Sequence, residues 1–441
     1  MSPVSRGRKP KKKSGKAAKA KTRKSTVSGE LPLGGSVFDE SLSDAFDEFD
    51  GPRSPFNTAE PPKWFDPAID RTLDRAEGLL AAQSPRELEQ MVAELLGAEM
   101  HRALNEERSG LWFEWLVKEL IDSAEVRITE DPGPSDPAWA ASWRLLYGLT
   151  SIVTPALMSF ALETLALARE ALPSGAVADQ PDWLTALPKI AATGDVQEMH
   201  DVYGTRFAVI AGYRYPGVAQ EHMFLFDVDA CAEVVLASAG MFDDAEQAAA
   251  AWRESLGEAA VGVVPTPVNT SERLLCLAYL DQGDDFLIGW ESRAALDNYF
   301  RARRRIYELQ KVLRKKRMPL PEAQSLFDDI EIEPEVEAFT AWYKQRHGGT
   351  PDPEVVEAVA GEWLEGALPG TSYSASPHRA KHRLVLISDW RPDPITEPAR
   401  ELLPEWVRWN AEQSGLSEQL TERAVAAATD LGDTEPSPAD G

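Results

Sequence analysis

The sequence predicts a mainly α (α+β) protein, with helical bundle units around one small antiparallel sheet and a covering helix. Three observations carry that expectation. Apolar residues recur at helical spacing over 64–194 and again over 333–428. Between them, Arg206–Tyr215 (RFAVIAGYRY) and Glu221–Asp229 (EHMFLFDVD) are aromatic and β-branched. Pro216-Gly217 separates those two runs, which is the signal of a hairpin with a four- or five-residue loop.

The elements follow in chain order. Pro67–Ala81 places Ile69, Leu73, Ala76 and Leu80 on one helical face. Ser84-Pro85-Arg86-Glu87 starts the next helix: Ser84 caps, Pro85 takes the first helical position and Glu87 completes a capping box. Leu88, Met91, Val92, Leu95 and Leu96 then form its apolar face. Further helices are expected near 110–124, 137–150, 155–171 and 182–192. Leu145–Ala168 is the most apolar stretch, but Ser151, Thr154, Pro155, Ser159 and Glu163 interrupt it. A membrane span needs ~20 predominantly apolar residues, so two core helices meeting at Pro155 are expected instead. Glu233–Ala239 reads as a third strand and Asp243–Leu256 as a helix across the sheet, which should span about 195–262. Ser271–Asp281 and a long Glu291–Arg317 form a helical pair ended by Pro319 and Pro321. Helices near 333–346, 352–367, 397–414 and 417–428 complete the chain, with a strand at His382–Ser388.

The resulting organisation is a disordered basic arm (1–35), an acidic–aromatic linker (36–63), a helical domain (64–194), a sheet-plus-helix unit (195–317), a C-terminal mainly helical unit (333–428) and a disordered acidic tail (429–441). The 441 residues suffice for two or three cores. Cys231 and Cys276, the two cysteines of the chain, allow neither a disulfide framework nor a four-cysteine zinc site, and read as reduced core thiols. No apolar stretch follows the basic start, so it does not read as a secretion signal, and a cytoplasmic location is expected, with nucleoid association as an option the arm leaves open.

Charge is distributed unevenly. Arg6, Arg8, Lys9, Lys11, Lys12, Lys13, Lys16, Lys19, Lys21, Arg23 and Lys24 give the first 24 residues eleven cations and no acid. The chain carries −26, so the remainder carries −26 − 11 = −37. A cationic arm on an anionic body points to a polyanionic partner, nucleic acid above all, bound by the arm. Phe38-Asp39-Glu40 and Phe46-Asp47-Glu48-Phe49-Asp50 mix aromatics with carboxylates, so 38–50 is the expected contact for a protein partner; no membrane partner is expected.

Arg6-Gly7-Arg8-Lys9-Pro10 resembles the AT-hook, whose core is Arg-Gly-Arg-Pro; here Lys9 is inserted before the proline. The resemblance implies a segment lying in a narrow A·T minor groove, its guanidiniums following the groove's negative potential. Lys16-Ala17-Ala18-Lys19-Ala20-Lys21 is similar to the Lys/Ala tails of linker-histone-like proteins, which implies phosphate neutralisation without base reading. Both resemblances are confined to residues 6–24. The Ala-, Asp-, Glu- and Arg-rich composition, with Leu402–Trp409, resembles proteins of high-GC actinobacteria in style and transfers no function.

In Glu291–Arg317, Ala295, Tyr299, Ala302, Ile306, Leu309 and Leu313 mark a packed face. Asp297, Arg301, Arg304, Glu308, Lys311 and Lys315 mark the opposite one, so Arg301, Arg304, Lys311 and Lys315 are expected to form a second basic surface.

No phosphate loop, dinucleotide fingerprint or nucleophile elbow occurs, and no cofactor is expected. The expected function is therefore a non-enzymatic association with nucleic acid, of weak sequence dependence, through the arm, and with proteins through the body. The alternatives are an interaction scaffold with an incidental tail, or an enzyme or metal-dependent domain built on the sheet. For the last, Asp227 and Asp229 share one strand face, and His200 and His222 are expected to converge on the same sheet end. His378 and His382 have the spacing of paired helical ligands, with Asp389 as a third group, but no metal site is assigned there.

Overall fold

The computed structural model describes residues 61–107, 112–130, 137–172, 175–231, 233–282, 292–324, 326, 331–390 and 394–429. The basic arm and residues 38–50 lie outside them.

The first helices are α1 (Phe65–Arg75), continued by a 3-10 turn to Ala81, α2 (Pro85–Glu107), α3 (Phe113–Glu130), α4 (Pro137–Ile152) and α5 (Pro155–Ala171). Helix α2 starts as its sequence dictates: the Glu87 amide donates to Ser84 Oγ at 3.2 Å, while Glu87 reaches back to the Gln83 amide at 2.8 Å. Helices α4 and α5 meet at Pro155, and among the described residues no helix is long and apolar enough to cross a membrane.

The sheet has five antiparallel strands in the order β4-β3-β2-β1-β5. They are β1 (Ala191–His200), β2 (Arg206–Arg214), β3 (His222–Asp229), β4 (Val235–Phe242) and the two-residue β5 (Thr266–Pro267). The expected hairpin is β2–β3, and the expected third strand is β4. Strand β1 corrects the helix expected over 182–192: that stretch is a 3-10 turn at Asp182–Lys189 followed by extended chain. Pairing with β2 decides the matter, from Ala191 against Arg214 to His200 against Phe207.

Both sheet faces are covered, as alternation along the strands requires. Val209, Ala211, Tyr213, Phe224, Phe226 and Val228 join the apolar cluster of α1–α5. Ala208, Ile210 and Leu225 instead pack on Ala248, Ala249 and Trp252 of the covering helix α6 (Ala245–Leu256). The first cluster takes in residues from Trp64 to Leu313 together with Leu368, and it includes residues on both sides of position 194.

After α7 (Leu275–Gln282), the expected long helix is two: α8 (Arg293–Asp297) and α9 (Tyr299–Lys315), broken at Asn298, whose amide group donates to Ala239 O and Ala294 O. The C-terminal unit holds α10 (Glu333–His347), α11 (Pro353–Leu364), α12 (Pro377–Ser388), α13 (Thr396–Gln413) and α14 (Glu418–Ala427). Its separate core centres on Phe339, Trp363, Trp406 and Trp409. Helix α12 corrects the strand expected at His382–Ser388. Ser376 accepts from the Arg379 amide at 3.1 Å and Pro377 occupies the first turn, so local capping starts a helix there despite the β-branched residues beyond.

Candidate functional site

Strand β3 ends at Asp229, where three parts of the fold converge. From β2, Arg206 stands directly across from Asp229 in register. Its guanidinium binds Asp227 through Nε at 2.6 Å and through a second nitrogen at 2.9 Å, and Asp229 Oδ2 at 3.0 Å. Asp227 and Asp229 thus share one face, as the period of two requires. Asp227 also accepts from Trp252 Nε1 at 3.0 Å. It is a buried anchor between sheet and α6, fully engaged by protein groups.

Asp229 is placed differently. Its Oδ1 accepts from the Cys231 amide at 2.8 Å, a turn that swings Cys231 back beside it. Its Oδ2 lies 3.4 Å from His378 Nδ1. Cys231 Sγ lies 3.3 Å from Ser376 Oγ, the hydroxyl that caps α12. Ser374 Oγ donates to Gly204 O at 3.1 Å, pinning the approach to α12 against the β1–β2 loop. The donor atoms of Asp229, Cys231 and His378 all lie within 4.8 Å of one another. Asp229 and Cys231 are buried, whereas the His378 side chain is 69% exposed.

Charge follows the geometry. Burial would raise the Asp229 carboxyl, but the His378 hydrogen bond and the Arg206 guanidinium hold it well below the usual carboxylate range. Burial and the Asp229 charge push the Cys231 thiol up. The Asp229 hydrogen bond raises His378, with solvent screening the attraction. One turn along α12, burial and the Arg383 charge lower His382, so its imidazole is neutral near pH 7; its Nδ1 is buried with no hydrogen-bond partner.

Two clefts flank this cluster. One, of about 760 Å³, is lined by Asp229, Cys231, Glu362, His378, His382 and Trp390 among others. The second, of about 540 Å³, shares Asp229, Cys231 and His378 and is also lined by Tyr203, Arg206, Glu258 and Arg423.

Of the residues singled out from sequence, only Asp227 and Asp229 meet as expected. His222 does not join them: it starts β3, paired with Tyr213, and lies at the opposite sheet end. There it is buried and stacked on Tyr213 and Tyr215, with centroids 6.2 and 5.5 Å away. Burial and the Arg305 charge push it down to about 3. His200 lies at the same sheet end as Asp229, but points its Nδ1 at the Asp201 carbonyl, 3.0 Å away. Asp389 caps the far end of α12, about 18 Å from its start. Asp229 takes the place expected of it beside His378. Cys231 was missed because its imidazole neighbour belongs to a distant segment.

The expected second basic surface is also corrected. Arg301 and Arg304 are buried. Arg301 pairs with Glu89 at 3.0 Å, Arg304 with Glu308 at 2.9 Å, and the neighbouring Arg305 with Glu89 at 2.5 Å. That face of α9 packs inside the molecule because α2 supplies a buried carboxylate for it. Lys311 and Lys315 remain exposed, with Lys311 on Glu308 at 2.9 Å. Searches against protein-family models, curated proteins and solved structures return no match, so no family is assigned.

Proposed function

We propose that the protein associates with nucleic acid, DNA foremost, through residues 6–24, and that its body presents an anionic surface to protein partners. The observation that carries this reading is the charge contrast: eleven cations and no acid in the first 24 residues, against −37 for the rest. Arg301, Arg304 and Arg305 are spent internally on Glu89 and Glu308, so the exposed cations of α9 are confined to Lys311 and its end, Arg314 to Arg317. Lys and Arg in such an arm displace counterions condensed on the duplex, so binding should be steeply salt-dependent and weakly sequence-dependent.

Duplex binding across a salt series, with intact protein and a variant lacking residues 1–24, tests the reading. The intact chain should lose affinity steeply with salt, and the truncated chain should lose most binding at low salt. Unchanged affinity on truncation, or no binding by the intact chain, overturns it. The alternative of a metal-dependent domain is favoured by a different observation, the Asp229–Cys231–His378 cluster.

A further inference from the structure

We propose that Asp229, Cys231 and His378 bind a zinc-type divalent transition-metal ion, with one coordination position open to the cleft beside α12. The argument begins with donor chemistry. A carboxylate, a thiol and an imidazole together match borderline ions such as Zn²⁺ or Co²⁺, whereas Mg²⁺ and Ca²⁺ take oxygen donors. The three come from two distant segments, the β3 end and the α12 start, and their donor atoms converge within 4.8 Å. The spacing of the oxygen and nitrogen donors agrees as well. A tetrahedral ion about 2.0–2.1 Å from an oxygen and a nitrogen sets them roughly 3.3–3.4 Å apart. Asp229 Oδ2 and His378 Nδ1 are 3.4 Å apart.

The surroundings are those of a held ligand set. The Cys231 amide holds Asp229 Oδ1, and Arg206 donates to Oδ2, the oxygen that also faces His378, so both carboxylate oxygens are held in place. The Ser376 hydroxyl stands beside the Cys231 sulfur, where it can donate to a thiolate. Such outer hydrogen bonds orient metal ligands and tune their basicity. With an ion bound, the Cys231 thiolate and the Asp227 and Asp229 carboxylates face Arg206 and the dication.

Among the described residues, no fourth protein donor lies within the cluster. His382, a helical turn beyond His378, lines the same cleft and carries a buried Nδ1 without a hydrogen-bond partner. Three protein ligands with a vacant position facing a cleft is the arrangement that admits water or a small anionic ligand, rather than that of a closed structural site. This inference concerns a different part of the chain from the arm, and neither depends on the other.

The test uses full-length protein stripped with a chelator. It is titrated with Co²⁺, followed by the thiolate-to-cobalt charge-transfer absorption, and with Zn²⁺ in competition with a chromophoric chelator. One ion per chain is expected, with the charge-transfer band lost in Cys231→Ser and kept in Cys276→Ser, whose thiol is buried elsewhere. Asp229→Asn and His378→Ala should weaken Zn²⁺ by more than about 100-fold, since losing even an outer partner of a ligand costs 10–100-fold. Metal-free thermal melts check that each variant folds. If Cys231→Ser does not, His378→Ala, whose ring is mostly exposed, carries the test. Failure to retain Zn²⁺ at micromolar concentration, or retention undiminished in Asp229→Asn and His378→Ala, would show His378–Asp229 to be a plain ion pair and overturn the proposal.

Discussion

The two ends of β3 treat polar groups in opposite ways. At the His222 end the charged and aromatic polar groups are buried against one another. The imidazole is sandwiched by tyrosines, Tyr215 donates to Glu89, and Glu89 neutralises Arg301 and Arg305 in the core. At the Asp229 end the strand stops at a seam, because the start of α12 is laid against it and clefts remain beside it. A closed end spends its charges on stability; a seam leaves donors lining clefts. The proposed metal site accordingly draws on the exposed His378, whereas His222 is buried among tyrosines.

The contrast can be broken most forcefully at the closed end. Glu89→Gln leaves Arg301 and Arg305 without their buried counter-charge, and denaturant unfolding should show a loss of about 3–5 kcal/mol. At the seam, Asp227→Asn should cost less, about 2 kcal/mol, because Arg206 keeps Asp229 and only part of a charged hydrogen-bond set is lost. The smallest effect concerns His222. Its folded pKa, about 3, lies below the ordinary value near 6.5 of the unfolded chain. Between those values the unfolded state holds the extra proton, so stability rises with pH and is lost as pH falls. From pH 7 to 6 the His222 contribution should be under about 1 kcal/mol, read as the difference in slope between wild type and His222→Gln. Equal slopes would show that the ring titrates normally and that this end is not sealed.

Much of the fold was legible because its signals are local. The helices expected at 333–346, 352–367, 397–414 and 417–428 match α10, α11, α13 and α14 to within a few residues. Strand β1 was not legible. Its sequence, AATGDVQEMH, does not alternate, and an irregularity between Ala192 and Val196 interrupts its pairing. Its extended state comes from β2 alongside it. Helix α12 was legible in principle, since Ser376-Pro377 repeats the start used at Ser84-Pro85. Recognising it would have placed His378 and His382 on one helix. Their partnership with Asp229 and Cys231 would still have stayed hidden, because no spacing rule links residues brought together by docking of separate units. The opposite face of α9 misled for a related reason: a charged face is read as solvated unless its buried counter-ion on α2 is known.

That counter-ion has a consequence for how the chain is made. Glu89 emerges from the ribosome long before Arg301 and Arg305, its partners. Until α9 follows, the amino-terminal helices hold an uncompensated carboxylate at the centre of their apolar surface, so α2 cannot be permanently buried early. A nascent chain halted before α9 should therefore be less stable than the finished core, read as faster proteolysis of a chain truncated before Tyr299.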